Sequence, residues 1–280
     1  MTSATRKGIM NPQHSNIDLS SSQPTQQNED DVDIFSSSLS AIFSEPPVSF
    51  SDPTHSFTKR GVTVFPPSTN AENWNLQTDA IWRSALYLAD HLPDIKGKDL
   101  LELGAGSGLP GILAAKEGSP RSVTLSDYPD PIVLATLQEN VLRNIPISGQ
   151  GEQTPKVNVV GHAWCTETKW PLDAEHFDLI MGADILWMSD QHKNLCATLR
   201  KSLRREKNSR IHLVAGLHST RWTIQRFLDE AAQADFVVTS SVEISSGDEL
   251  VRRPWSVERA DDEMDRKKWL VEVVLAWRNI

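Results

Sequence analysis

Leu100 to Gly111 reads LLELGAGSGLPG, and this stretch most constrains what the chain can become. A short apolar run ends in glycines at every second position, Gly104, Gly106 and Gly108, and a second apolar segment, Leu109 to Ala115, follows at once. The pattern predicts a buried strand breaking into a glycine turn that feeds a helix. Without a Cβ, such a turn can take left-handed dihedrals and come within contact distance of a ligand. The helix start offers unpaired N–H groups and the positive end of a dipole. This is a loop for a nucleotide-type cofactor.

The flanking sequence places that loop in a larger design. A helix is expected over Thr78 to His91, with Trp74, Ile81, Trp82, Ala85, Leu86, Ala89 and Leu92 on its period, Thr78 or Asp79 as cap, and Pro93 ending it. Strands are expected over Lys98–Leu103, Ser122–Ser126, Val157–Gly161, Phe177–Gly182, Arg210–Ala215, Phe236–Val242 and Trp269–Trp277. Helices alternate with them over Gly108–Glu117, Pro131–Arg143, Gln191–Arg204 and Thr223–Ala234. The alternation implies a doubly wound, Rossmann-like α/β fold with a seven-stranded, mostly parallel sheet. Its last two strands, separated by the charged loop 245–267, would form an antiparallel pair at the C-terminal end.

Upstream, residues 46–72 read as extended, with a hairpin around Phe57 to Phe65, and the domain proper spans 73–280. Residues 1–45 are rich in Ser, Gln, Asn and Asp and nearly empty of large apolar side chains. Such a segment cannot bury enough surface to offset chain entropy, so a disordered extension is expected. Within it, Asp33 to Phe43 could show one apolar side as a short helix.

A net charge of −9 and a pI near 5.4 argue against sequence-independent nucleic-acid binding and suit a basic partner instead. The two cysteines, Cys165 and Cys196, lack metal-ligand spacing and read as reduced thiols. No signal peptide and no apolar run near twenty residues is visible. The expectation is therefore a cytoplasmic monomer without a membrane partner or a bound metal.

Two cofactor classes remain open at this level. Gly106-Ser-Gly108-Leu-Pro-Gly111 satisfies a dinucleotide GxGxxG pattern, and Asp127 follows nineteen residues after Gly108, where a ribose-binding acid belongs. That reading is a nicotinamide oxidoreductase. Against it stand Glu102, where a dehydrogenase loop keeps apolar residues, the earlier start of the glycine string at Gly104, and the C-terminal strand pair.

The segments LLELGAGSGLPG, SDYPDP, GHAW and FDLIMGADILW together resemble the seven-β-strand S-adenosylmethionine-dependent methyltransferases. More narrowly, they are similar to the lysine methyltransferase-like group, with its fungal nicotinamide N-methyltransferase-like members. Some of those methylate a translation elongation factor on its N-terminus and a nearby lysine. The resemblance covers about residues 33–280 and implies S-adenosylmethionine as cofactor. It implies that Gly104, Ala105 and Gly106 pass under the methionine part, with Glu102 beside them holding the loop or a water. Asp127 would accept both ribose hydroxyls, the other reading being a turn or helix-cap acid. Trp164 would flank the adenine unless it is a core residue, Trp82 would approach from the N-terminal helix, and Ala183 would give a backbone contact.

The resemblance also places Asp184 and Trp187 at the rim where the target amine enters. The relatives carry Asp-x-x-Tyr or Asp-x-x-Phe there, whereas this chain has Asp184-Ile-Leu-Trp187. A carboxylate can hold an ammonium, and an indole face favours a cation. The implied reaction is methyl transfer to a protein amine, a lysine or an N-terminus. The rivals are a small-molecule amine methyltransferase, which the larger Trp187 makes credible, and a cofactor-binding protein without catalysis. There is no Asn-Pro-Pro-aromatic tetrapeptide and no metal cluster of the catechol-methylating kind; His218 and Arg221, after the fifth strand, lie at the same sheet end and could reach the substrate, but residues of this kind are more often on the surface.

Overall fold

The computed structural model describes residues 49–50, 54–68, 77–145, 155–164, 176–245 and 250–280, the first pair by backbone alone. The extension 1–45 with its Asp33–Phe43 stretch, Trp74 and Cys165 lie outside these residues. Among the described residues, no helix is long and apolar enough to cross a membrane.

Strand β1 (Ser49–Phe50) pairs antiparallel with β4 (Ile81–Trp82), and β2 (Phe57–Lys59) forms the expected hairpin with β3 (Val62–Val64). Arg60 and Gly61 turn that hairpin with φ of 49° and 73°, the positive values a two-residue hairpin turn needs. Helix α1 covers Arg83–Asp90 and therefore starts later than its apolar period suggests. The reason is tertiary: Ile81 and Trp82 pair with β1, and the extended Trp82 (φ −77°, ψ 154°) becomes the N-cap in place of Thr78 or Asp79.

Then follow β5 (Asp99–Leu103), α2 (Leu109–Glu117), β6 (Ser122–Asp127), α3 (Pro131–Asn144), β7 (Lys156–Gly161) and β8 (Leu179–Ala183). After a 3₁₀ turn (Ser189–Gln191) come α4 (His192–Ser202), β9 (Arg210–Gly216), α5 (Arg221–Gln233) and β10 (Phe236–Ser245). The chain closes with β11 (Arg252–Pro254), α6 (Glu263–Lys267) and β12 (Trp269–Trp277).

The main sheet runs β11-β10-β12-β9-β8-β5-β6-β7. Strands β7, β6, β5, β8 and β9 are parallel, while β12 lies antiparallel between β9 and β10. The fold class expected from sequence is the one observed. The charged connection after β10 adds an eighth, edge strand, because Arg252–Pro254 pairs with Val242–Ile244 before the chain enters β12.

Side chains alternate across the sheet with period two. Leu101, Leu103, Ile180, Ile211, Leu213, Val271, Val273 and Leu275 meet α4 and α5 on one face. Leu100, Leu125, Leu179, Met181 and Val214 meet α1, α2 and α3 on the other. Helix α2 is buried from Leu109 through Ala115, which is why it shows no polar stripe. The chain reverses its direction of travel across the sheet at β5, so the carboxyl ends of β5 and β8 open a crevice where such folds bind ligands.

Candidate active site

The turn after β5 takes the left-handed dihedrals its glycines permit: φ is 62° at Gly104, 52° at Gly106 and 79° at Gly108. Neighbouring elements pin it. Ala105 N–H donates to Ser126 O at 3.1 Å, Gly106 N–H to Asp127 Oδ2 at 2.6 Å, and Asn140 Nδ2 of α3 to Ser107 O at 3.0 Å. A Cβ on Gly104 would lie 2.5 Å from Ile185 Cγ2, so the turn threads between β6 and the loop after β8.

Glu102 points from β5 into the first turn of α2, where its Oε2 accepts the Gly111 N–H at 2.8 Å. It supplies the cap that Gly108 cannot, so that part of the helix start is closed to ligands. A side chain at Gly111 would collide with Glu102 and Leu125. Burial pushes Glu102 up to about 8, with the Gly111 N–H opposing and the Asp127 charge adding to the shift.

Asp127 ends β6, and its Oδ1 also accepts the Tyr128 N–H at 2.7 Å. Burial raises it to about 6. The helix-cap role open to it in sequence falls to Asp130, whose Oδ1 accepts from Ile132 and Val133 N–H at 2.8 and 3.0 Å. Asp127 is thereby left facing the crevice. His162 N–H donates to Asp127 O at 2.7 Å and starts the turn that carries Trp164. Burial lowers the His162 imidazole to about 4, so it is neutral at physiological pH. Trp164 packs on the core and also lines the crevice.

Asp184 follows β8 with φ of 57°, a conformation costly for a non-glycine residue unless its surroundings hold it. They do. Its N–H donates to Val214 O at 2.8 Å, Ser84 Oγ donates to its Oδ2 at 2.6 Å, and Gly216 N–H to its Oδ1 at 3.2 Å. His218 Nε2 lies 3.5 Å from the same Oδ1, and its ring stacks on Trp82 at 5.3 Å between centroids. His192 Nε2 donates to Leu186 O at 2.9 Å and steadies the turn that presents Trp187.

These groups surround one cavity of about 370 Å³. Its lining includes all ten residues singled out in the sequence: Trp82, Glu102, Gly104, Ala105, Gly106, Asp127, Trp164, Ala183, Asp184 and Trp187. Trp82 reaches it from β4 rather than from a helix, with Nε1 donating to Gln77 O at 3.0 Å. Thr78, Tyr128, His162 and Asp190 also line it and were not anticipated, although Tyr128 and His162 sit inside the SDYPDP and GHAW segments. Ser84 carries no local signal, since only the fold brings it to Asp184. His218 and Arg221 are not surface residues: His218 backs the cavity wall, and Arg221 is buried against Glu243 and Asp261. Among the described residues, no group of three His, Cys, Asp or Glu side chains could hold a metal ion.

A model of the lysine methyltransferase family matches residues 71–234, more than half of the chain. The chain belongs to that family. It is a methyltransferase, its cofactor is S-adenosylmethionine, and the dinucleotide reading of the glycine loop falls away. The methyltransferase is 30% identical over 200 residues to a protein N-terminal and lysine N-methyltransferase of Aspergillus fumigatus, covering 64% of this chain and 75% of that protein. It is 30% identical over 191 residues to its counterpart in Emericella nidulans, covering 61% and 72%. Its identity to EEF1A lysine methyltransferase 3 of Mus musculus is 34% over 128 residues, covering 43% and 48%.

The cavity of this methyltransferase suits that cofactor. The glycine turn is a cradle that added Cβ atoms would obstruct, and buried Thr78 Oγ1 has no protein partner among the described residues. The lining carries Asp127, Asp184 and Asp190, the buried acid Glu102 that keeps its proton at neutral pH, and neither lysine nor arginine, a set that favours a sulfonium cation.

Glu102 makes a pH prediction. Its folded value near 8 lies above the ordinary 4.5, so across that window the folded state holds a proton the unfolded chain lacks. Stability of the cofactor-free protein therefore falls as pH rises through it. Glu102→Gln keeps an acceptor for Gly111 N–H and has no charge to desolvate. In thermal unfolding from about pH 5 to about pH 9, the Tm advantage of Glu102→Gln over the parent should grow with pH. Parallel curves would refute the buried-acid assignment.

Proposed function

We propose that this methyltransferase modifies an amine of a protein, a lysine side chain or an N-terminus, with a translation elongation factor as leading acceptor. The acidic, aromatic cavity carries the reading: Asp127, Asp184 and Asp190 share its walls with Trp82, Tyr128, Trp164 and Trp187. Such walls attract a cationic amine and repel none of its charge. The names of the Aspergillus and mouse relatives support the same acceptor class.

In this reading Gly104, Ala105 and Gly106 carry the methionine part of the cofactor, Asp127 accepts its ribose hydroxyls, and Trp164 covers the adenine. Trp82 and Ala183 complete that side, while Glu102 holds the loop. The bound cofactor supplies a methyl group on a good leaving group, so positioning and exclusion of water dominate what the protein must do. Asp184 places negative charge where the amine arrives, and the Trp187 face keeps it oriented. The amine must shed a proton before it can attack, which a nearby carboxylate or a water accepts.

Trp187 in place of a smaller aromatic favours a small-molecule amine as the second reading. Methyl-radiolabelled S-adenosylmethionine, incubated with the enzyme and a cofactor-stripped extract of the source cells, separates the two. Label in one acid-precipitable protein band, on a lysine or N-terminal nitrogen by mass spectrometry, is the expected result. Label confined to the soluble fraction would transfer the assignment to a small-molecule acceptor.

A further inference from the structure

The four acidic side chains of the cavity differ in burial and in what they already hold. Glu102 accepts from Gly111, Asp127 from Gly106 and Tyr128, and Asp184 from Ser84 and Gly216, with His218 beside it. All three are buried. Asp190 stands apart: it lies on the 3₁₀ turn Ser189–Gln191, three residues beyond Trp187, and its side chain is exposed. Among the described residues, its carboxylate's hydrogen bond comes from Gln191 Nε2, a neighbouring amide, at 3.1 Å.

An arriving ammonium is met first by a carboxylate at the rim that solvent reaches, because there neither charge has to be stripped of its water. Asp184, though central, is buried, and its oxygens accept from donors that also hold its left-handed backbone. We propose that Asp190 is the carboxylate that receives the acceptor's cation at the mouth of the cavity, with the Trp187 face alongside. Asp190 is then a specificity-determining residue of the acceptor side, and Asp184 a positioning residue behind it. This rests on the amine-acceptor reading above.

The test uses full-length protein loaded with S-adenosylhomocysteine and, as probe, n-butyltrimethylammonium, which mimics a methylated lysine head and cannot react. Asp190→Asn leaves the Trp187 face in place and removes only an exposed carboxylate–cation contact, which should change affinity by about two- to fivefold. Asp190→Asn is therefore expected to weaken probe binding by that factor and to reduce its salt dependence, while Asp190→Glu keeps most of the affinity. S-adenosylhomocysteine should bind both variants as it binds the parent. Equal probe affinity in parent and Asp190→Asn overturns the proposal, as does a parent that does not bind the probe. A loss of S-adenosylhomocysteine binding in Asp190→Asn overturns it too, since the residue would then act through the cofactor site. The amine-acceptor reading fails separately, if the radiolabel experiment recovers no methylated amine.

Discussion

Asp127→Ala should raise the Kd for S-adenosylmethionine by about 100- to 1000-fold while leaving the protein folded. The carboxylate ends β6 inside the cavity, with one oxygen on Gly106 N–H and the other on Tyr128 N–H. Each oxygen keeps a lone pair for a ribose hydroxyl, and hydrogen bonds to a charged group contribute about 1.5–3 kcal/mol each. Losing two of them, and the anchor of Gly106 with them, corresponds to about 3–4 kcal/mol. Because burial puts Asp127 near 6, cofactor affinity should also fall as pH drops through that value, as the acceptor takes up a proton. Asp127→Asn keeps one acceptor oxygen and should fall between parent and Ala without the pH step. Isothermal titration of S-adenosylmethionine and S-adenosylhomocysteine measures all three. An Ala variant within threefold of the parent would remove Asp127 from the cofactor site.

Glu243→Ala should cost about 3–5 kcal/mol of folding stability, the ordinary penalty for stripping one partner from a buried ion pair. Glu243 lies on β10, fully buried, and joins three guanidinium groups. Arg221 of α5 clasps it with two bonds, Nη1 to Oε1 at 2.6 Å and Nη2 to Oε2 at 3.0 Å. Arg253 Nε donates to Oε2 at 2.7 Å and Arg259 Nε to Oε1 at 3.3 Å. Asp261 closes on Arg221 from the far side, and Arg253 stacks over Trp269 at 3.5 Å. Burial alone would raise the Glu243 carboxyl, but Arg221 and Arg253 reverse this and hold it below its usual range. Its stabilising contribution is thus present at neutral pH and lost as acid protonates it.

Urea unfolding of Glu243→Ala against the parent measures the loss. The double variant Arg221→Met/Glu243→Leu should recover only part of it, because Asp261 loses Arg221 and is left with Arg253 Nη2 at 3.8 Å, while Arg259 loses Glu243. Glu243 and Arg221 do not line the cavity, so cofactor affinity in the folded variant should match the parent. A loss below about 1 kcal/mol would show the cluster to be solvated rather than buried.

The two predictions sit at opposite ends of what the sequence can say. Asp127 was legible because the features that mark it are local: an apolar strand, a stop, and an acid at a fixed distance after a glycine turn. The same holds for Glu102, Gly104, Ala105 and Gly106, and for the strand–helix alternation that sets the sheet. Apolar period and glycine dihedrals are properties of a few consecutive residues, and they decide local conformation before any distant contact forms. Trp82 lines the cavity with the other candidates, but from a strand and not from the expected helix. Its apolar period suits a helix, yet β1 captures Ile81 and Trp82 as a strand.

Partner choice was decided by tertiary structure alone. Ser84 holds Asp184 across 100 residues, and His218 joins them from the loop after β9. Arg221, polar and at a helix start, reads as a surface residue until β10 brings Glu243 against it and the segment after β10 adds Arg253 and Asp261. A polar side chain's burial depends on whether distant donors and acceptors converge on it, and no local pattern encodes that convergence. The sequence by itself therefore determined the strand–helix order and the cofactor loop, through periodicity and glycine geometry. Only the fold decided which cavity acids are locked inward and that Asp190 faces out, because that choice is made by contacts between residues far apart in the chain.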